Sequence, residues 1–195
     1  MLIFMCALHC EAKPIIDFYR LKKSTEPADF DLYLNDQIFC IVSGMGGEKM
    51  TAAVAWAINE VAQPDSTWIN LGIAGHRTLE VGSMVLASKV SLSGQLKSIQ
   101  LNPSSDTELT FLPVITQQKE SVNYIDDAMF DMEAYPFIKA VLTVTPNKNA
   151  LCIKIISDNQ NSLPTRNKAQ ISDLIARHMT DIDKISQQLI TRLSS

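Results

Sequence analysis

Short, nearly continuous apolar runs alternate along the chain with segments in which apolar residues recur every three or four positions. The apolar runs lie at residues 2–8, 38–43, 67–71, 83–90, 109–116 and 151–157. Runs of this length and character are typical of strands that are covered on both faces. The pattern therefore predicts a set of buried strands, with residues 91–107, which are mostly polar, forming a loop or hairpin.

Helical spacing separates these runs at residues 52–61 and 132–141 and again in a long final segment after Pro164. In that final segment one apolar stripe recurs at three- and four-residue intervals, through Ile171, Leu174, Ile175, Met179, Ile182, Ile185, Leu189, Ile190 and Leu193. Alternation of strands with helices predicts an α/β domain with a mostly parallel central sheet. Ligand sites in such folds lie at the carboxyl ends of the strands.

Composition and charge narrow the class of partner. Of the 195 residues, 46% are hydrophobic and 19% charged, and the formal net charge is −4. The basic residues are scattered, so the chain lacks the basic patch of a nucleic-acid-binding protein. The apolar start has no basic residues and is interrupted at His9, which predicts a buried strand rather than a signal peptide. We expect a cytoplasmic protein with reduced cysteines, a small-molecule partner, no nucleic-acid partner and no membrane partner.

Two glycine-containing segments follow apolar runs. "SGMGG" carries Gly44 and Gly46, but Lys49 stands where a dinucleotide-binding loop would have its third glycine, and the segment lacks the phosphate-loop pattern. "NLGIAG" carries Gly72 and Gly75. Two glycine turns at the ends of neighbouring strands would leave bare backbone facing one crevice, where a planar or sugar-like ligand can approach closely.

Three carboxylates stand beside apolar runs: Glu11 in "CALHCEAKP", Glu133 in "MFDMEAYPF" and Asp158 in "LCIKIISDN". In the predicted sheet all three could face the same crevice as the glycines. Each could instead be a carboxylate at a helix start, or an aspartate capping a turn. Asp131 could simply be a polar neighbour at the turn that carries Glu133.

The order of "EAKP", "SGMGG", "NLGIAG" with "VGSMVLAS", "DMEA" and "IISDN" resembles the purine nucleosidase and nucleoside phosphorylase superfamily. The pattern is similar to the methylthioadenosine and S-adenosylhomocysteine nucleosidases and to hopanoid-associated phosphorylase-like proteins, over about residues 1–160. The resemblance implies one domain over residues 1–195, with a three-layer α/β/α architecture and a central, mostly parallel mixed sheet. It also implies homodimerisation, and neither a metal nor an organic cofactor.

The resemblance implies roles for the carboxylates. Asp158 would protonate the leaving base, Glu133 would hold the ribose hydroxyls, and Glu11 would activate water. Cleavage of an N-glycosidic bond places positive charge on the sugar and negative charge on the departing base, so an acid at the base and a carboxylate at the sugar both act on developing charge. The remaining substrate-binding residues would be Met45, Gly46, Ile73, Ala74, Gly75 and Met132.

The nucleophile can be water or phosphate. Phosphorylases of this superfamily use arginines after the first strand and before the second glycine segment, where this chain reads "HCEAKP" and "STWIN", and Glu11 would repel phosphate. Hydrolysis is therefore the favoured reaction. Phosphorolysis is the alternative, with its cations drawn from His9, Lys13, His76 and Arg77. A member that binds a nucleoside without turnover, and a metal site at Cys6, His9 and Cys10, are further alternatives.

The resemblance weakens between "VGSMVLAS" and "DMEA", where this chain is shorter by about a helix. That region would supply contacts to the base, for which Phe111 could stack on the ring and Gln117 or Gln118 could hydrogen-bond it. Ile73 and Lys154 also depart from the pattern, since a hydroxyl residue and an arginine are frequent there. The base and the 5′ substituent cannot be predicted from these residues.

Overall fold

The computed structural model describes residues 1–101, 109–120, 123–146, 149–162, 164 and 167–193. The strands are β1 (Leu2–Cys6), β2 (Lys22–Lys23), β3 (Asp31–Leu34), β4 (Ile38–Val42), β5 (Thr67–His76), β6 (Met84–Leu92), β7 (Ser98–Gln100), β8 (Thr110–Thr116), β9 (Met129–Asp131) and β10 (Ala150–Asp158). The helices are α1 (His9–Tyr19), α2 (Gly47–Glu60), α3 (Ala134–Val141), α4 (Lys168–Ala176) and α5 (Met179–Leu193).

The strands form one mixed sheet in which β1 lies between β4 and β5 and runs parallel to both. The two longest pairings, β10 with β5 and β6 with β8, are also parallel. β6 pairs antiparallel with β10, and β9 pairs parallel with β8 and antiparallel with β5. A closed circuit of pairings therefore runs through β5, β10, β6, β8 and β9. Beyond β1, the sheet continues through β4, β3 and β2.

Helices cover both faces of the sheet. Ile3 and Met5 of β1 pack in one core cluster with Val54 of α2 and Ile138 of α3. The alternate residues Leu2, Phe4 and Cys6 pack in a second cluster with α1, α4 and α5. Successive strand residues point to opposite faces, so a strand between two helical layers is apolar throughout. The predicted three-layer α/β/α fold with a mostly parallel mixed sheet is confirmed.

The first glycine segment is a turn, but the second is not. Gly44 and Gly46 have φ values of 83° and 102°, and α2 begins directly after them at Gly47. Gly72 and Gly75, in contrast, lie inside β5, so the predicted second glycine turn is wrong. A Cβ at Gly72 would lie 2.8 Å from Glu11 Oε1, and one at Gly75 would overlap the Tyr124 hydroxyl. These glycines make room for other side chains instead of bending the backbone.

Several predicted boundaries also shift. The first strand ends at Cys6, which places Glu11 in the first turn of α1. The predicted helix over residues 132–141 is shorter and is preceded by β9, and the long final segment is divided into α4 and α5. β6 and β7 form the predicted hairpin, while residues 102–108 lie outside the described part of the chain. In the described ranges, no helix has the length and apolar character to cross a membrane.

Candidate active site

A cavity of about 700 Å³ opens where β1, β4, β5 and β10 end and the segments after β8 and β9 approach them. It collects most of the residues singled out from the sequence: Glu11, Met45, Ile73, Ala74, Gly75, Met132, Glu133 and Asp158 all line it. Gly46 contributes its backbone N–H to Glu133. The site lies where the fold class predicts.

Glu11 is buried, and backbone groups fix both of its carboxylate oxygens. Oε2 accepts hydrogen bonds from the N–H groups of Ala7 at 3.0 Å and Leu8 at 2.9 Å. Oε1 accepts one from Ile73 N–H in β5 at 3.0 Å. Burial raises the pKa of Glu11, although Lys154 and these N–H groups act in the opposite direction. Glu11 therefore lies in the first turn of a helix, as considered from the sequence, and also lines the cavity. Its carboxylate is held in place by backbone N–H groups and made more basic by burial.

Glu133 lies immediately before α3, but its side chain does not cap that helix. Instead, Oε1 accepts a hydrogen bond of 2.6 Å from the N–H of Gly46 in the first glycine turn. Burial raises the pKa of Glu133 to about 7, and the negative charge of Asp131 adds to the increase. The glycine turn and the carboxylate thus form one wall of the cavity.

Asp158 ends β10 and is 4% exposed. The pairing of β10 with β5 shifts register between Ile156 and Asp158. Such a shift changes the direction of successive side chains, and Ser157 and Asp158 both line the cavity. Ser157 Oγ donates to Asp158 Oδ1 at 2.6 Å, and the Tyr124 hydroxyl donates to Oδ2. Both oxygens of the carboxyl are therefore engaged.

A buried ion pair stands behind the carboxylates. Lys154 Nζ lies 2.7 Å from Asp131 Oδ2, and both side chains are almost completely buried. Asp131 also accepts hydrogen bonds from Thr116 Oγ1 at 2.7 Å and from the N–H of Ala134 at 2.8 Å. Burial alone would lower the pKa of Lys154, but Asp131 and other acidic groups raise it above its ordinary value.

Lys154 also lies close to Glu11. A Cβ placed at Gly72 would be 2.8 Å from Glu11 Oε1 and 3.6 Å from Lys154 Nζ, so the two groups flank the same point of β5. One lysine therefore lies beside Glu11, Asp131 and Glu133, and it offsets part of their charge. From the sequence, Asp131 could simply be a polar neighbour at the turn of Glu133. The lysine inside the apolar run "LCIKII" is the signal in the sequence that a buried partner exists.

The aromatic wall of the cavity differs from the expectation. Phe111 lies on β8 and packs against the core cluster that contains α1 and α4, so the structure does not bring it to the cavity. Tyr124 and Phe130 line the cavity instead, with ring centroids 5.2 Å apart. Gln117 and Gln118 do line it, as the candidate hydrogen-bonding residues should.

Three of the four cations proposed for a phosphate site do not line the cavity: Lys13, His76 and Arg77. Of the four, His9 lines the cavity, and its Nε2 lies 3.0 Å from Asp31. Lys13 pairs with Asp17 at 2.6 Å, and buried His76 accepts hydrogen bonds at Nδ1 from two backbone N–H groups. No cluster of three or more His, Cys, Asp or Glu residues in the described part of the chain is placed to hold a metal ion.

We expect Gly72→Ala to destabilise the protein by about 1–3 kcal/mol, the usual cost of overpacking a buried site. The added Cβ would lie 2.8 Å from Glu11 Oε1 and would force that carboxylate from its place. Urea unfolding of Gly72→Ala and of Gly72→Ala combined with Glu11→Ala measures the effect. The cost should shrink in the double variant; an equal cost in both backgrounds would mean that Glu11 is not what the glycine accommodates.

The contribution of Glu133 to stability should fall as the pH rises from about 4.5 to about 7, since in this window folded Glu133 keeps a proton that the unfolded chain releases. Glu133→Gln removes this titration and keeps an acceptor for Gly46 N–H. Urea unfolding at pH 5 and pH 8 should show the variant gaining about 2 kcal/mol on the wild type at the higher pH. Exposed Glu60→Gln is the control and should show no such gain. A parallel pH dependence in all three proteins would contradict the shift.

Comparison with known proteins agrees with this architecture. No protein-family model matches the chain, and no curated protein matches it. Among solved structures, 5′-methylthioadenosine nucleosidase of Arabidopsis thaliana aligns over 96% of this chain and 95% of its own, with a TM-score of 0.79 and 15% identity. The 5′-methylthioadenosine/S-adenosyl homocysteine nucleosidase of Campylobacter jejuni aligns over 96% and 98%, with a TM-score of 0.77 and 13% identity.

A structure of the MTAN from Chlamydia trachomatis bound to MTA aligns over 94% of this chain and 97% of its own, with a TM-score of 0.70 and 18% identity. The resemblance found in the sequence motifs is therefore confirmed for the fold. At these identities the likeness concerns the fold, and the chemistry has to be argued from the cavity.

Proposed function

We propose that the protein is a nucleosidase that hydrolyses the N-glycosidic bond of a purine nucleoside or of a 5′-modified relative. The observation that carries the proposal is the meeting of three buried carboxylates, Glu11, Glu133 and Asp158, on one cavity. They come from three separate parts of the chain. Burying three acidic groups together costs free energy, and groups of this kind that line a cleft are typical of functional sites. The nucleosidase fold of the solved neighbours supports the same conclusion.

Asp158 acts as the general acid in this proposal. As the bond between the anomeric carbon and the base breaks, its electron pair moves onto the base, and the proton of Asp158 passes to a ring nitrogen. The position at the end of β10, on the cavity, suits a group that must reach the base. Proton transfer in the transition state contributes typically about 10²–10⁴-fold to the rate.

Glu133 and Glu11 act on the sugar side. Glu133 would accept hydrogen bonds from the ribose hydroxyls, with Met132 beside the sugar, and its charge would stabilise the oxocarbenium character of the transition state. Glu11 would take a proton from water as the oxygen attacks the anomeric carbon. Burial raises the pKa of Glu11, which suits a general base. The three N–H groups that hold the Glu11 carboxylate would fix its direction.

Water is favoured over phosphate as the nucleophile. The cation that acts on Glu11 is Lys154, which Asp131 already pairs. A phosphate dianion placed beside Glu11 would face a fixed negative charge in a site of low dielectric. The phosphorylase alternative would rely on His9 and on Lys119 and Lys168, which also line the cavity.

The substrate class extends to apolar 5′ substituents, because Leu8, Met45 and Ile171 are among the lining residues. Met45 is 57% exposed, so an apolar side chain stands at the solvent side of the cavity. We also propose a homodimer, as the resemblance implies. Sedimentation velocity tests the homodimer: a single monomer peak at micromolar concentration would contradict it.

Chromatography of reaction mixtures tests the reaction. The purified protein is incubated with adenosine, guanosine, inosine and their 5′-methylthio relatives, with and without phosphate. The proposal predicts release of free base from at least one nucleoside without phosphate. Release only in the presence of phosphate would establish a phosphorylase. Binding without release under either condition would establish a nucleoside-binding protein.

A further inference from the structure

Tyr124 lines the cavity, and the proposed reaction gives it no role. It lies in the described residues 123–128, which contain no helix or strand, between β8 and β9. Its side chain is nevertheless only 8% exposed. It packs with Ala128 and Phe130 in a small apolar cluster of its own, apart from the two clusters that cover the sheet.

The phenol occupies a position next to the proposed acid. Its hydroxyl donates to Asp158 Oδ2, while Ser157 holds Oδ1. Tyr124 and Asp158 both line the cavity. A leaving base must come within about 2.6–3.2 Å of the acid that protonates it. The base and the phenol therefore compete for one oxygen of Asp158.

The surroundings of the ring also suit a base. The ring of Phe130 stands at 5.2 Å and an angle of 37° to that of Tyr124, and the hydroxyl and two neighbouring ring atoms lie over the backbone of Gly75. A flat aromatic ring with a hydrogen-bonding group at its edge is the chemical description of a phenol and of a purine alike. The space between Phe130 and the backbone of Gly75 therefore holds a side chain, Tyr124, that resembles a purine base in shape and polarity.

We propose that Tyr124 is a specificity-determining residue whose ring occupies the base subsite, so that a base binds at Asp158 only by displacing the phenol. This rests on the proposed function insofar as Asp158 is the group that contacts the base. The entering ring must replace both the contact with Phe130 and the hydrogen bond to Asp158. Ligands that lack a planar ring with a polar edge would leave the phenol in place.

Tyr124→Phe tests the proposal, because it keeps the ring and removes the hydroxyl that competes for Asp158. Breaking the hydrogen bond from the phenol to Asp158 is no longer part of binding, so the variant should bind base about two- to tenfold more tightly. Calorimetric titration with adenine, guanine and hypoxanthine measures this effect. Equal or weaker binding of all three bases by the variant would overturn the proposal, and so would the absence of binding to both proteins.

Tyr19→Phe is the matched control. The Tyr19 hydroxyl also donates to an aspartate, Asp183, at 2.9 Å, but Tyr19 does not line the cavity. Its variant should bind the bases as the wild type does. Equal tightening in both variants would overturn the assignment to the base subsite.

Kinetics and spectroscopy separate displacement from a positioning role. Tyr124→Phe should lower KM while kcat is retained; a lower kcat at unchanged KM would mean that the phenol positions Asp158 and is not displaced. With 3-fluorotyrosine incorporated at the four tyrosines, the fluorine resonance that is missing in Tyr124→Phe should shift when base is added. An unmoved Tyr124 resonance at saturation would also contradict displacement.

The nucleosidase proposal and the displacement of Tyr124 can be tested independently of each other. If the wild type and Tyr124→Phe both fail to release base from any nucleoside while the variant still binds a free base more tightly, that result would support the displacement of Tyr124 and contradict the nucleosidase activity. If base is released and the affinities are equal, the reverse holds.

Discussion

Asp158→Asn is expected to lower turnover by about 10²–10⁴-fold, which is the usual contribution of a general acid. Asparagine keeps the shape of the side chain. Its amide oxygen can accept a hydrogen bond from one of the two hydroxyls of Ser157 and Tyr124 while its NH2 group donates to the other, but it has no acidic proton for the leaving base. Binding of the nucleoside and folding should change little. Initial rates of base release together with calorimetric titration of the same nucleoside measure the two effects.

The control for this substitution is Asp65→Asn, which makes the same chemical change at an exposed position. It should leave both the rate and the affinity at the wild-type values. Wild-type turnover in Asp158→Asn would remove Asp158 as the acid. A loss of binding as large as the loss of rate would instead mean that Asp158 binds the nucleoside before the reaction begins.

Lys154→Met is expected to have the largest effect on stability, about 3–5 kcal/mol. Methionine fills a similar volume, but it leaves the carboxylate of Asp131 buried with no cation beside it. The repulsion among Glu11, Asp131 and Glu133 would also increase, because Lys154 is the positive charge that acts on all three. Urea unfolding at neutral pH measures the loss.

Two further variants test whether the loss of stability comes from the buried ion pair of Lys154. Lys184→Met breaks an exposed pair with Asp181 and should cost less than about 1 kcal/mol. Asp131→Asn combined with Lys154→Met removes the orphaned charge. It keeps an oxygen for the N–H of Ala134 and places an NH2 group where it can donate to Thr116 Oγ1, so it should recover part of the stability. A loss in Lys154→Met no larger than that of the exposed control would contradict a structural ion pair.

The sheet was predictable because burial on both faces leaves a simple signal. Every residue of β1 and β10 is buried, and apart from Lys154 and the final Ser157 and Asp158 of β10 these residues are apolar. The glycines of β5 were misinterpreted for a physical reason: a glycine that bends the chain and a glycine that gives space to another side chain look alike in sequence. β2, β3 and β9 have two, four and three residues, which is too short for a periodic pattern.

The carboxylates of the site were predictable because acidic residues beside apolar runs are conspicuous. Their environment was not. The pairing of Lys154 with Asp131 joins β10 to β9, and the contact of Tyr124 with Asp158 spans 34 positions. The sequence indicated Phe111 as a base contact, but Tyr124 and Phe130 line the cavity instead, since an aromatic residue in a strand gives no indication of which face of the sheet it occupies.

We propose that Glu11, Glu133 and Asp158 direct water to the anomeric carbon of a nucleoside. Mass spectrometry of the sugar product, formed by the wild-type protein in phosphate buffer, tests this proposal. We expect the free reducing sugar in equal amount to the released base, with no sugar phosphate. A sugar 1-phosphate would show that phosphate is the nucleophile, and the absence of any sugar product from every nucleoside would show that the protein is not a nucleosidase.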